Sequence, residues 1–261
     1  MTGDHALWLG GAVTAVLLVA SITSTVLKAC IANGQPHAVI DNLIARVRSW
    51  WILSAILAGA LWAGIAATFM LFALVSMAAL REYLTAPLPA SCHRGRPWAS
   101  GLIMCVVCIA PIPALLMLEI PGYEGRNVFL LVFLVLVAQA SDVLQYLWGK
   151  WLGKHPIAPI ISPAKTVEGF VGGVSCATLL GAGLWQITPF SVPQAAAIAL
   201  LITLLGFAGG LILSAQKRSR SIKDWSNLIR GHGGMLDRID SLWLSAPVFY
   251  CAVWLGWART G

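Results

Sequence analysis

Long apolar runs separated by short polar connectors fill most of this chain. A helix of about 18–25 apolar residues crosses a bilayer core of about 30 Å, because within lipid the backbone must satisfy its own hydrogen bonds. Runs of that kind fall near 6–28, 97–118, 127–148, 169–189, 193–214 and 241–258, with one longer run from Trp50 to Leu80. The chain has seven spans if the long run crosses once and eight if it folds as a hairpin. Its 31 residues are few for two full crossings, so a tilted single span and a break near WAGIAAT both stay open.

Composition agrees with this pattern. The chain is 59% hydrophobic with a mean hydropathy of +0.82, whereas soluble domains use roughly 45–50% apolar residues. The predicted fold class is all-α, a polytopic membrane helix bundle of about 7–8 transmembrane helices. The opening MTGDHALW has no basic stretch and no small-residue cleavage site follows it, so the first span is expected to stay as a helix. The chain divides into an N-terminal transmembrane region, 1–125, and a C-terminal region, 126–261, that carries the motif loops.

Charge gives the expected orientation, since short loops rich in Lys and Arg stay cytoplasmic. The 149–168 loop, with Lys150, Lys154 and Lys165, and the 215–240 loop are both basic, and the TPFSVP turn between their helices is uncharged. Both basic loops and REYLTAPLPASCHRGRP are therefore expected inside, with IPGYEGRN and the C-terminus outside. A bacterial inner membrane is the expected location. The net charge of +7 reflects this bias and contact with anionic lipid, so nucleic acid is not an expected partner. Cys105 and Cys108 form a CxxC inside an apolar run, with no second pair and no histidine set, and read as packing residues.

The bias does not explain the acids. Between Ser214 and Asp240 stand six basic residues, but also Asp224, Asp237 and Asp240. On a helix beginning after the glycines, Asp237 and Asp240 would share a face and reach one ion. Such oxygen ligands suit Mg²⁺, which takes one or two carboxylates and fills its shell with water and phosphate. Gly231, Gly233 and Gly234 around His232 would let backbone N–H groups approach a phosphate. Carboxylates at a membrane edge are costly to desolvate and are kept mainly where they serve a site.

A second polar cluster lies upstream: Ser141 and Asp142 near the end of one span, then Ser162, Lys165, Thr166 and Glu168 at the start of the next. The P-loop spacing G-x-x-x-x-G-K-[ST] is absent, and no preceding strand is predicted. Two clusters on one side of the membrane, one with acids and one with phosphate donors, point to phosphoryl or nucleotidyl transfer at the lipid surface. Trp148, Trp151, Trp225 and Trp243 beside them read as an interfacial belt.

The stretch from Ser214 to Asp240 resembles the signature of the phosphatidate cytidylyltransferase (CDP-diacylglycerol synthase) family, S-x-x-K-R-x(4)-K-D, a spacer, then H-G-G-x-x-D-R-x-D. Ser214, Lys217, Arg218, Lys223, Asp224, His232, Gly233, Gly234, Asp237, Arg238 and Asp240 all match. The upstream Ser162-Pro163-x-Lys165-Thr166-x-Glu168-Gly169 is similar to the family's S-P-x-K-T-x-E-G element, and Asp142 matches an acid that begins the preceding motif. The resemblance covers residues 126–258.

It implies the reaction of CTP with phosphatidate to give CDP-diacylglycerol and pyrophosphate, with Mg²⁺ as cofactor. Membrane lipids are expected partners, and so is a second copy of the chain as a homodimer. In that chemistry the lipid phosphate attacks the α-phosphorus of CTP, so positioning and charge neutralisation dominate. The resemblance assigns catalytic roles to Asp224, Asp237, Asp240, Lys223 and His232. It gives substrate-binding roles to Ser162, Lys165, Thr166, Ser214, Lys217, Arg218 and Arg238, and metal-ligand roles to Asp142, Asp237 and Asp240.

The chain departs from the pattern at Gly210, where many members carry an acid four residues before the signature serine, and at Gln145 in DVLQY. Another lipid phosphate as acceptor, or a non-catalytic transporter or scaffold, are the alternatives these departures raise. The CDP-alcohol phosphotransferases are set aside, because their D-G-x-x-A-R pattern is absent.

Overall fold

A computed structural model describes residues 2–30, 35, 38–87, 97–226 and 233–258. Among them six helices are long and apolar enough to cross a membrane, and two shorter apolar helices, Val167–Gly183 and Leu242–Ala258, accompany them. The protein is an all-α membrane bundle.

Helix α1 spans Thr2–Cys30 and α2 spans Ala38–Ala63. The long apolar run is a hairpin: α2 ends at Ala63, Gly64 turns the chain at φ 105°, and α3 runs over Ile65–Thr85. That φ suits glycine because it has no Cβ to clash. The break falls inside WAGIAAT, where the Thr68 hydroxyl donates to the carbonyls of Ala60 and Gly64 at 3.2 and 3.0 Å. The shortage of length disappears because α2 begins twelve residues before Trp50, so the polar-looking AVIDNLIARVRS is helical too.

The next span is irregular. Helix α4 (Pro97–Leu102) runs into a π-helical turn, Ile103–Val107, and then into α5 (Pro111–Ala114). Pro111 and Pro113 lack the N–H groups that a continuous α-helix would use. Helix α6 covers Val128–Leu152, α7 Val167–Gly183, α8 Val192–Ser219 and α9 Leu242–Val253. A short antiparallel ribbon of β1 (Pro156–Ala158) and β2 (Ser162–Thr166) joins α6 to α7, with Ala158 opposite Ser162. The SPAKT segment, expected at the start of the next span, is instead a short strand that leads into it.

Helix α7 carries small residues every fourth position, Gly169, Gly173, Ala177 and Gly181, all buried. This stripe lets backbones approach closely, as membrane helix contacts require. A side chain at Gly169 would sit 2.7 Å from the Gln145 carbonyl, and one at Gly172 2.6 Å from the Trp148 ring. Gln145, unusual in the sequence pattern, stands at this α6–α7 crossing and donates to Ser141 Oγ at 2.7 Å.

The two ends of the bundle are distinct. At one end the Tyr123 hydroxyl donates to the Ile187 carbonyl, Arg126 Nη2 donates to Gln186 O at 3.0 Å, and Phe190 packs on Trp257. The IPGYEGRN turn, the TPFSVP turn and the end of α9 thus share one side, as the charge pattern predicts. At the other end Arg218 Nε donates to Ile161 O at 3.1 Å, joining the two basic loops.

Candidate functional site

The site lies at that second end, where α6, β2, α8 and the turn before α9 converge. Asp142 comes from the second half of α6 and lies within electrostatic reach of Asp240, Lys165 and Arg238. Lys165 extends from β2, its ammonium 4.6 Å from the centre of the Phe207 ring on α8. Helix α8 contributes Gly210, Ser214 and Lys217, which share one face by their spacing of four and three. The two polar clusters that are separate in sequence are one cluster in space.

Asp237 is held by three donors. Its Oδ1 accepts from Lys217 Nζ at 2.7 Å, with side-chain exposures of 12% for Lys217 and 9% for Asp237. Its Oδ2 accepts the backbone N–H of Trp225 at 3.0 Å and of Gly234 at 2.9 Å. Asp240 stands among Lys165, Lys217 and Asp237; burial pushes its carboxyl above the usual range, and the two lysines oppose that push.

The expected helix through Asp237 and Asp240 is not formed. Residues 235–241 make successive turns, with Arg238 N donating to Met235 O and Leu242 N to Ile239 O, both at 2.9 Å, and α9 starts at Leu242. Within this bend Asp237 turns its own carboxylate back onto the Gly234 amide, and Glu82 of α3 takes the next two amides. Gly233, at φ 78°, supplies the left-handed residue of that bend, and a Cβ there would meet Asp237 Oδ2 at 2.7 Å. The Gly234 N–H, expected to face a phosphate, is thus given to Asp237.

Other expected site residues take different positions. Thr166 caps α7, its hydroxyl accepting the Gly169 N–H at 3.1 Å, and so orients Lys165 one residue before it. Ser162 opens β2. Arg218, besides reaching Ile161, donates to Ile222 O at 3.1 Å and so braces the loop. Lys223 and Asp224 are exposed at the tip. Gln139 Nε2 donates to the Arg238 carbonyl at 3.4 Å, tying the turn to α6. His232 lies outside the described residues.

Gly210 borders this cluster. A Cβ on it would stand 2.9 Å from Lys165 Nζ and 3.7 Å from Asp240 Oδ2. The position where an acid was expected therefore does face the site, and Lys165 fills the space beside it.

Sequence reasoning missed three residues. Trp225 is 5% exposed, not part of an interfacial belt; it packs beside Tyr83 and the guanidinium of Arg220. Buried Arg220 donates to the Tyr83 carbonyl at 2.8 Å. Glu82, from α3, points at the Asp237 turn. All three read as ordinary loop or flank residues because their partners are more than a hundred positions away or hidden by the chain's turn.

Among the described residues no group of three or more His, Cys, Asp or Glu side chains converges as a metal cage. What the site offers instead is three acids facing three bases, Asp142, Asp237 and Asp240 against Lys165, Lys217 and Arg238. Such a balanced, partly desolvated set can bind and orient phosphates while holding an oxygen-seeking cation by one or two carboxylates.

Comparison with known proteins identifies the family. The model of a cytidylyltransferase family matches residues 88–255. A protein of Escherichia coli (strain K12), named uncharacterized protein YnbB, is 31% identical over 293 aligned residues, covering 90% of this chain and 95% of that protein. A phosphatidate cytidylyltransferase of Aquifex aeolicus (strain VF5) is 37% identical over 145 residues, 55% of this chain and 54% of that protein. One of Staphylococcus aureus (strain COL) is 36% identical over 127 residues, 48% of each. The chain thus spans about half the length of the phosphatidate cytidylyltransferases it matches.

Proposed function

Because this chain belongs to the cytidylyltransferase family and is a membrane-embedded nucleotidyltransferase, we propose that it transfers the cytidylyl group of CTP to phosphatidate, giving CDP-diacylglycerol and pyrophosphate. The supporting observation is the meeting of Asp142 and Lys165 with Asp237, Asp240 and Lys217 at one end of the bundle.

In this reading Lys165 and Arg238 hold the phosphates of CTP, and Lys217 orients Asp237 through their 2.7 Å ion pair. A lipid phosphate oxygen attacks the α-phosphorus, a new P–O bond forms, and pyrophosphate leaves with the electron pair of the broken bond. Three acids balanced by three bases leave the charge of a triphosphate unneutralised, which a divalent cation would supply. Mg²⁺ fits, held by Asp237 or Asp240 with Asp142 nearby. When bound it neutralises charge developing on the phosphate oxygens. The motif end faces the cytoplasm of a bacterial inner membrane in this reading, where the basic loops and CTP both belong.

A second acceptor class, another lipid phosphate, is favoured by one observation: the phosphatidate-named relatives align over only about half of their length, whereas the full-length relative carries no named lipid. Purified protein is incubated with CTP, Mg²⁺ and either phosphatidate or an isoprenoid phosphate, and pyrophosphate is measured. Release with phosphatidate is expected; release only with the isoprenoid phosphate selects the second reading, and none with either rejects both.

A further inference from the structure

We propose that Glu82, in the last turn of α3, is a positioning residue for this reaction, so that the N-terminal half forms part of the reactive unit. The inference rests on the functional reading above. Glu82 lies outside the matched family region, 88–255, and is 6% exposed.

Its contacts go to the segment that carries Asp237. Oε1 accepts the Ser226 hydroxyl at 2.6 Å and the Met235 N–H at 2.8 Å, and Oε2 accepts the Leu236 N–H at 3.0 Å. Three successive amides of the turn, Gly234, Met235 and Leu236, are thereby divided between two carboxylates, the first going to Asp237 and the next two to Glu82. Asp237 grips the turn from within and Glu82 from outside. If Glu82 is lost, two amides of a buried turn have no acceptor, and the backbone must rotate to find one. The next side chain in the turn is Asp237, so that rotation moves its carboxylate relative to Lys217.

Two further features belong to the same device. A Cβ at Gly234 would stand 2.8 Å from Glu82 Cδ and 2.9 Å from Oε1, so glycine at this point admits the carboxylate. The neighbouring residue, Tyr83, receives Arg220 on its carbonyl at 2.8 Å, with the guanidinium 4.1 Å from the centre of its ring. The end of α3 is thus fastened to the motif loop at two consecutive residues.

All three groups facing Glu82 are donors, so an amide in its place sets donor against donor on one side, whereas aspartate keeps both acceptors on a shorter arm. The test uses full-length protein in detergent. Glu82→Gln is expected to lower kcat by about 10-fold or more, because displaced reacting groups lose rate, with KM for CTP changed by less than about threefold. Glu82→Asp should recover part of that loss, and Gly234→Ala should reproduce it. Hydrogen exchange over 233–241 should quicken in Glu82→Gln while α6 and α7 exchange as in the parent protein.

Unchanged kcat together with unchanged exchange over 233–241 would overturn the proposal, as would faster exchange throughout the bundle, which marks a purely structural role. Absence of turnover by the parent protein rejects the functional reading instead; the exchange comparison still decides whether Glu82 holds the turn.

Discussion

Helices α1 and α2 turn their large side chains outward: Trp8, Val16, Val19, Ile22, Ile52 and Trp62 are exposed, Trp62 by 92%. Helices α6 to α9 also expose large apolar side chains, such as Trp151 and Leu179, but pack tightly inward, with glycine and alanine between helices and Phe133, Leu134, Ile202 and Phe249 fully buried. The first pattern suits contact with lipid, which accepts large apolar groups without shape matching; the second suits helix contacts that must hold polar groups in fixed places. Precision is concentrated where Asp142, Lys165, Lys217, Asp237 and Asp240 need it. Helix α3 belongs to both: its outward Met70, Leu74 and Met77 are exposed, while its last turn holds the motif loop.

The contrast can be broken most strongly at Asp237. Asp237→Asn keeps shape and removes charge, and a cytidylyltransferase assay should show a loss of about 10²-fold or more. Equal activity would place the chemistry elsewhere. Lys217→Met leaves Asp237 buried without its ion partner, which costs about 3–5 kcal/mol when one member of a buried pair is removed. Thermal unfolding in detergent should show that cost, along with a loss of turnover.

Two adjacent glycines of α8 sharpen the comparison within the precise half. A methyl at Gly209 would meet the Asp240 carbonyl oxygen at 2.8 Å and Trp243 Nε1 at 2.9 Å, neither of which moves freely. Gly209→Ala should therefore destabilise by about 1–3 kcal/mol through overpacking. Gly210→Ala meets the mobile end of Lys165, and its stability in the same unfolding assay should stay within about 0.5 kcal/mol of the parent, since a flexible amine shifts at low cost. On the lipid-facing half, Trp62→Leu should change stability by no more than about 0.5 kcal/mol, measured by the same unfolding assay.

Much of this was legible in the sequence, and for identifiable reasons. Span positions follow from apolar length, and both basic loops lie at one end because Lys and Arg mark one side. The convergence of SPAKTVEG with GGMLDRID followed from two polar clusters sharing that side. What the sequence hid depends on tertiary contacts. The hairpin broken at Gly64 was among the open readings, and the apolar run alone did not select it because α2 starts well before that run. The turns at 235–241 stand where a helix was expected, and their amides go to Asp237 and Glu82, partners that periodicity does not encode. Glu82 in LREYL resembles a charged flank of a span, and only its fold partners, about 150 positions later, reveal its use.

The central claim is tested most directly by following the α-phosphorus. CTP labelled at that atom is incubated with the purified protein, Mg²⁺ and phosphatidate, beside Asp237→Asn. Label is expected to enter the lipid fraction in step with pyrophosphate release, and the Asp237→Asn protein to transfer about 10²-fold less. Label that stays in the aqueous phase, or transfers equally in both proteins, would contradict it.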